Sequence, residues 1–312
     1  MPLDLPRAER PLKIGTRGSP LALAQAHETR ARLMAAHGLP EDAFEIVVIK
    51  TTGDKVQDRP LSEIGGKGLF TKQIEEAMLA RAIDIAVHST KDMPTEQPDG
   101  LGITCYLPRE DVRDAFVTLG GGVLGDLPRG AVVGTSSLRR RAQLRHRRPD
   151  LSLVEFRGNV QTRMGKLEAG VAQATFLAMA GLRRLGMAIA AQPIDPAEML
   201  PAVAQGAICI EQRLDDAATS AILAAIHDAA TGHRMDAERA FLKGLDGSCQ
   251  TPIAGLAELD GPHLRFRGEI LRPDGSECLA HAQEGAVGDA AAIGAEAAAI
   301  LRGRAGPGFF DG

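Results

Sequence analysis

The chain has 312 residues, room for two ordinary domains, and 44% are hydrophobic and 24% charged, which excludes a disordered or fibrous protein. Aromatic residues are 3%, with one Tyr and no Trp, so the bases of single-stranded nucleic acid have no stacking platform. A formal charge of −4 gives no global attraction to nucleic acid or membrane.

The charge is unevenly placed. Between Arg129 and Arg184 there are twelve Lys/Arg against three Asp/Glu, so the rest of the chain is strongly acidic. Such a basic island points to an anionic ligand. Cys105, Cys209, Cys249 and Cys278 form no CxxC pair, so zinc spacing is absent and reduced thiols are expected. The opening MPLDLPRAER lacks the apolar core of a secretory signal, and no apolar run reaches the ~18 residues of a membrane span. A cytoplasmic protein with no membrane association is the expectation.

Lys13–Thr16 reads as a strand, and Ser19-Pro20 as a helix start with a capping hydroxyl and proline at the first helical position. That helix should run to a Gly38 stop. Phe44–Lys50 is a second strand, and the glycine loop IGGKG at 64–68 leads to a helix over about Leu69–Arg81. Asp84–His88 is the next strand and ends in HSTKD. This β-α-β-α-β order predicts a largely parallel sheet covered by helices.

The pattern repeats after a hinge-like stretch at Pro108–Arg113. Strands are predicted at Ala115–Leu119, Ala131–Gly134, Leu151–Phe156 and Thr175–Met179, and helices at Ser137–Arg147, Val160–Ala169 and Gly181–Gly186. Leu200–Ile210 holds a further strand candidate and Asp215–Ala230 a further helix. Two such α/β units suggest lobes facing a cleft, with ligands at the carboxyl ends of the strands. The last segment differs. A helix at Met235–Leu245 precedes alternating strands at Ile253–Glu258, Leu264–Leu271 and Ser276–Glu284, with a PDG turn at 273–275 and an Ala-rich helix over Asp289–Gly303. A small α+β domain with an antiparallel sheet is expected there. The expected boundaries are 11–107 with 206–226, then 108–205, then 227–312.

Thr135-Ser136-Ser137 precede Arg139-Arg140-Arg141 at a strand-to-helix junction, where hydroxyls, free N–H groups and guanidiniums favour an anion. Arg157-Gly158-Asn159 with Arg163, and then Arg183-Arg184, repeat the arrangement at the ends of later strands. Arg17 and Ser19 follow the first strand. Arg145, Arg147 and Arg148 read instead as a solvated helix face. HSTKD places His88, Ser89, Lys91 and Asp92 at one strand end, and Asp92 opposite an arginine wall suits a cationic intermediate. GGKG lacks P-loop spacing and reads as a glycine loop carrying Lys67. Cys249 lies in the turn GSCQTP, and composition alone does not raise it above the other three cysteines.

GTRGSPLALAQ at 15–25, GGKGLFTKQIE at 65–75, AVHSTKDMP at 86–94, GTSSLRR at 134–140, RGNVQTR at 157–163, AGLRRLG at 180–186 and LDGSCQTPIAG at 245–255 resemble, in the family's order, the porphobilinogen deaminases, or hydroxymethylbilane synthases. The resemblance implies three domains, the first two like periplasmic-binding-protein lobes. It implies a covalent dipyrromethane cofactor on a thioether at Cys249, Asp92 as the catalytic carboxylate, and no metal. Arg17, Ser19, Ser89, Lys91, Thr135, Ser137, Arg139, Arg140, Arg157, Gly158, Arg163 and Arg184 match positions that hold cofactor and substrate, with Lys67 in a loop over the cleft. Ser248 stands where the family mostly has glycine, and a small residue keeps that loop permissive. The implied reaction deaminates porphobilinogen, which carries two carboxylates, and joins four units into a linear tetrapyrrole. A monomer passing product to a uroporphyrinogen-forming enzyme is implied as well.

Two other classes compete. A solute-binding protein for a polyanion fits two lobes but ordinarily carries a secretion signal. Nucleic-acid binding through the 139–148 arginines is opposed by the scarcity of aromatics and the acidic remainder.

Overall fold

A computed structural model describes residues 4–55, 71–248 and 251–311. The chain parts into two units, one holding residues up to Glu110 with Ala207–Gly232, the other Asp111–Gly206 with His233–Gly312. The glycine loop at 64–68, with Lys67, and Cys249 lie outside the described residues.

The first unit is built on strands β1 (Leu12–Thr16), β2 (Phe44–Val48), β3 (Ile85–Ser89), β4 (Leu101–Tyr106) and β10 (Ile208–Arg213). Helices α1 (Pro20–His37), α2 (Lys72–Leu79) and α6 (Ala217–Ala224) accompany them. Ser19 caps α1 by accepting the N–H of Ala22, and Gly38 ends it in the left-handed conformation, φ +65°, its N–H bonded to the Met34 carbonyl. The sheet order is β2-β1-β3-β10-β4. β1 runs parallel to β2 and β3, while β10 is antiparallel to both neighbours. Leu12, Ile14, Leu33, Ile85, Val87, Ile208 and Ile210 fill its core.

The second unit repeats that order with a different chain path. Its strands are β5 (Asp114–Val117), β6 (Val132–Gly134), β7 (Ser152–Val154), β8 (Ala174–Ala178) and β9 (Ala191–Pro193). Its helices α3 (Leu138–Arg147), α4 (Val160–Glu168) and α5 (Met179–Arg184) follow β6, β7 and β8 in turn. The order is β7-β6-β8-β5-β9, with β5 antiparallel to β8 and β9. In each sheet the antiparallel fourth strand is the one by which the chain enters that unit from the other. Each parallel strand therefore ends, with its loop, at the same edge of its sheet, where polar residues can be gathered.

The second unit also contains helix α7 from His233 onward (Ala229–Gly244), the antiparallel sheet β11 (Ile253–Asp260), β12 (His263–Leu271) and β13 (Cys278–Ala286), and helix α8 (Ala290–Ala305). The PDG turn forms as expected, with the Gly275 N–H on the Arg272 carbonyl at 2.9 Å. Gly275 has φ +78°, and a Cβ there would meet the backbone of Ala142 and His146 within 3 Å, so the turn presses on α3. The terminal FF is not a loose end: Phe309 is buried, and Arg272 lies over its ring at 4.9 Å.

Several expected elements shift. β4 and β9 had no clear signal in the sequence. The strand candidate at Leu200–Ile210 begins only at Ile208, because Ala204 turns the chain with φ +61°. The single helix expected at Asp215–Ala230 is two, since Asp228 accepts the N–H of Thr231 at 2.7 Å and starts α7 afresh. Among the described residues, no helix is long and apolar enough to cross a membrane.

Candidate active site

In the first unit the ends of β1 and β3 and the start of α1 frame a small pocket, about 70 Å³, open to solvent. Arg17, Ser19, Gln25, His88, Ser89 and Asp92 line it. The Ser19 hydroxyl spends its acceptor on the Ala22 N–H at 3.3 Å, which leaves its own O–H to donate. After β3 the chain makes one 3-10 turn over Thr90–Asp92, which carries half-buried Lys91 and turns the exposed Asp92 side chain to the pocket. Among the described residues, none donates a hydrogen bond to the Asp92 carboxylate.

Gln25, like Thr71, is a polar pocket residue that sequence reasoning missed. It is buried on α1 and exchanges two hydrogen bonds with Ser89, at 2.8 and 3.2 Å, which fixes that hydroxyl. A polar residue on the buried face of α1 was the available signal. Behind the pocket, His88 Nε2 lies 3.3 Å from a Glu211 oxygen, both side chains buried. Burial also pushes the nearby Glu75 carboxyl above its usual range.

The second unit carries the arginines. Ser137 caps α3, accepting the Arg140 N–H, while buried Thr135 accepts the N–H of Ser137 at 3.3 Å. Arg139 and Arg140 are not solvent-facing. Arg140 gives Nε and Nη2 to one oxygen of Asp114, at 3.1 and 2.6 Å, and Nη1 to the Phe176 carbonyl at 2.9 Å. Arg139 gives Nη1 to the other Asp114 oxygen at 2.7 Å and to the Leu200 carbonyl at 3.0 Å. Asp114, wholly buried, was not singled out in the sequence.

Further arginines follow on the next two strand-to-helix junctions. Asn159 caps α4, and Gly158 before it has φ +118°, with room for no Cβ against Thr162. Arg163 donates Nε to the Gly158 carbonyl at 3.0 Å and Nη1 to the Phe176 carbonyl at 3.4 Å. Burial, and secondarily Arg140, pushes Arg163 down to about 10. Among the described residues, the buried Arg157 Nη1 has no hydrogen-bond partner. Arg184 donates to the Gly206 carbonyl at 3.1 Å. Two of these five arginines, Arg139 and Arg140, share the buried Asp114 carboxylate, and the buried Arg157 Nη1 beside them calls for an anion. A cofactor bearing carboxylates fits that demand.

One expectation is corrected by the geometry. Arg147 and Arg148 are not a solvated face: Arg147 pairs with Glu269 at 3.4 Å, and Arg148 forks onto Asp150 at 2.8 Å while donating to the Leu124 and Leu127 carbonyls. Burial pushes Cys105 up to about 12 and Cys278 up to about 11, and Cys209 is buried, so Cys105 and Cys278 are not thiolates at neutral pH.

Fold and site together define a two-sheet α/β protein with an arginine-rich anion site and a pocket carboxylate, joined to a small antiparallel domain. Residues 12–221 match the model for the porphobilinogen deaminase dipyrromethane cofactor binding domain, and residues 233–303 the porphobilinogen deaminase C-terminal domain. A porphobilinogen deaminase of Paracoccus denitrificans (strain Pd 1222) is 69% identical over 309 residues, 99% of each chain. The chain belongs to the porphobilinogen deaminase family. Among solved structures, a probable amino-acid transporter extracellular-binding protein of Bacillus subtilis is similar at TM-score 0.43 and 11% identity, covering 69% of this chain and 90% of its own. The periplasmic aliphatic sulphonate binding protein of Escherichia coli reaches TM-score 0.41 at 14% identity, over 74% of this chain and 69% of its own. At these values the strand order, not the likeness, describes the fold.

Proposed function

We propose that the chain catalyses the family's reaction, joining four porphobilinogen molecules head to tail with loss of ammonia to give hydroxymethylbilane, a step of tetrapyrrole biosynthesis. The observation that carries this reading is the cluster of Arg139 and Arg140, buried on one carboxylate, with half-buried Arg157 and Arg163 on the next loop and helix, suited to a chain of units that each bring two carboxylates. Dipyrromethane, when bound, would supply the free pyrrole carbon to which the first unit is joined. Cys249 holds it through a thioether, an assignment that rests on the GSCQTP motif.

Asp92 stabilises positive charge as it develops on the incoming pyrrole and stands ready to accept a proton. Arg17, Ser19, Ser89 and Lys91 bind and orient the unit beside it, with Gln25 fixing the Ser89 hydroxyl. Arg140, Arg157, Arg163 and Arg184 receive acetate and propionate groups, with Arg139, Thr135, Ser137 and Gly158 shaping their loops. Lys67 joins this set by motif alone. The protein works in the cytoplasm as a monomer and passes its product to a uroporphyrinogen-forming enzyme.

The test is stoichiometry. Purified protein given porphobilinogen should release one ammonia per unit consumed and one linear tetrapyrrole per four. Porphobilinogen bound and recovered unchanged would favour a solute-binding protein instead.

A further inference from the structure

Asp114 opens β5, the strand by which the chain enters the second unit, and its side chain has no exposure to solvent. It accepts four hydrogen bonds: two from Arg140, one from Arg139 and one from Gln205 at 2.9 Å. Gln205 also donates to the Val112 carbonyl at 2.8 Å, so one carboxylate joins the entering and leaving segments of this unit to α3. Burial alone would raise the Asp114 carboxyl, but the two guanidiniums outweigh it and hold it well below the usual range.

The consequence lies on the far side of Arg140. Asp114 occupies its Nε–Nη2 edge, which leaves Nη1 aimed at the Phe176 carbonyl, the same oxygen that Arg163 Nη1 approaches. Two like-charged forks do not converge on one neutral carbonyl unless something holds one of them there. Arg163 has its tether in the Gly158 carbonyl, and Arg140 has Asp114. On Arg139, Nε is buried with no hydrogen-bond partner among the described residues. The cluster therefore has its aim fixed from within and its charge left unfilled.

We propose that Asp114 is a positioning residue for carboxylate binding: it sets Arg140 beside Arg163 so that both guanidiniums receive one ligand carboxylate. The porphobilinogen arm of the test rests on the function proposed above, and the glutarate arm does not. Asp114 touches no substrate itself and acts through Arg140.

The experiment compares wild type, Asp114→Asn, Arg163→Gln and the double variant. First, the melting temperature is followed with sodium glutarate against ionic-strength-matched sodium chloride. Glutarate should raise it for wild type beyond the chloride control, and that excess should vanish in Asp114→Asn. Second, in porphobilinogen turnover, Asp114→Asn should raise KM about tenfold or more with kcat within about threefold. Arg163→Gln should add less than about twofold on that background, because both changes break one pair. A merely structural Asp114 would leave KM and the glutarate excess intact in folded protein, or give multiplicative effects with Arg163→Gln, and either result overturns the proposal. If Asp114→Asn does not fold, Arg140→Lys carries the same test, since it keeps the charge on Asp114 and loses the fork. An unchanged glutarate excess there overturns it too. Should wild type not consume porphobilinogen while the glutarate excess depends on Asp114 and Arg140, the functional reading fails and the positioning role stands.

Discussion

Glu238, buried in α7, accepts the backbone N–H of Ala204 at 2.6 Å. Ala204 is the left-handed residue of the segment that leads out of the second unit, and it could not keep that N–H buried without an acceptor. The other Glu238 oxygen accepts the Ala257 N–H at 2.8 Å, so one side chain pins the turn and the first strand of the antiparallel sheet. Glu238→Gln puts an amide N–H against one of two backbone donors. It should cost about 1–3 kcal/mol in urea unfolding, the scale for an unsatisfied buried polar group. A cost below about 0.5 kcal/mol would mean that the turn holds by packing alone.

The arginines at the end of α3 separate structure from ligand binding. Arg148 follows the helix, forks onto Asp150 and satisfies two backbone carbonyls. Arg148→Leu should lower the melting temperature by a few degrees while leaving the KM for porphobilinogen within about twofold. Arg147→Leu, with one longer contact to Glu269, should do less. A KM rise without loss of stability would place these side chains on the ligand.

Asp114 gives a pH signature with a definite sign. Its folded carboxyl titrates well below the unfolded value of about 3.9, so the unfolded chain binds more protons in acid. Its stabilisation is fully present above that unfolded value and is lost as pH falls toward the folded one. Urea stability measured from pH 6 to pH 2.5 should therefore decline steeply below about pH 4 in wild type. In Asp114→Asn it should be lower at pH 6 and flatter in acid. Parallel curves would contradict the charge pairing.

Asp92 tests where the chemistry is done. Surrounded by pocket residues that favour anions, such as Arg17, its charge does not help bind carboxylates. Its benefit belongs to the moment when the pyrrole becomes cationic. Asp92→Asn, loaded with cofactor, should keep KM within a fewfold and lose about a hundredfold or more in kcat. Wild-type kcat with a raised KM would make Asp92 a binding residue.

Much of the fold was legible because periodicity and caps are local signals. Ser19-Pro20, Gly38 and the PDG turn each carry their geometry in a few residues. β4 and β9 were not legible, since neither alternates cleanly and both are fixed by pairing with β10 and β5. The split at Asp228 hid because the apolar pattern continues across it. In the candidate site, strand-end motifs located Arg17, Asp92 and the arginine pairs. What they could not give was partnership: that Asp114, twenty-five residues from Arg139, is the counter-ion of two arginines is a fact of tertiary packing. Arg147 was misread for the same reason, as its partner Glu269 lies on β12, whereas Arg148 was misread although Asp150 stands only two residues on.

The covalent cofactor is the claim on which the rest depends, and intact-protein mass spectrometry tests it most directly. The purified chain should weigh more than its sequence by two porphobilinogen units, each less one ammonia. Cys249→Ala should weigh what its sequence requires, and substitution of Cys105, Cys209 or Cys278 should leave the addition in place. A wild-type mass equal to the sequence, or an addition that survives Cys249→Ala, would contradict the assignment.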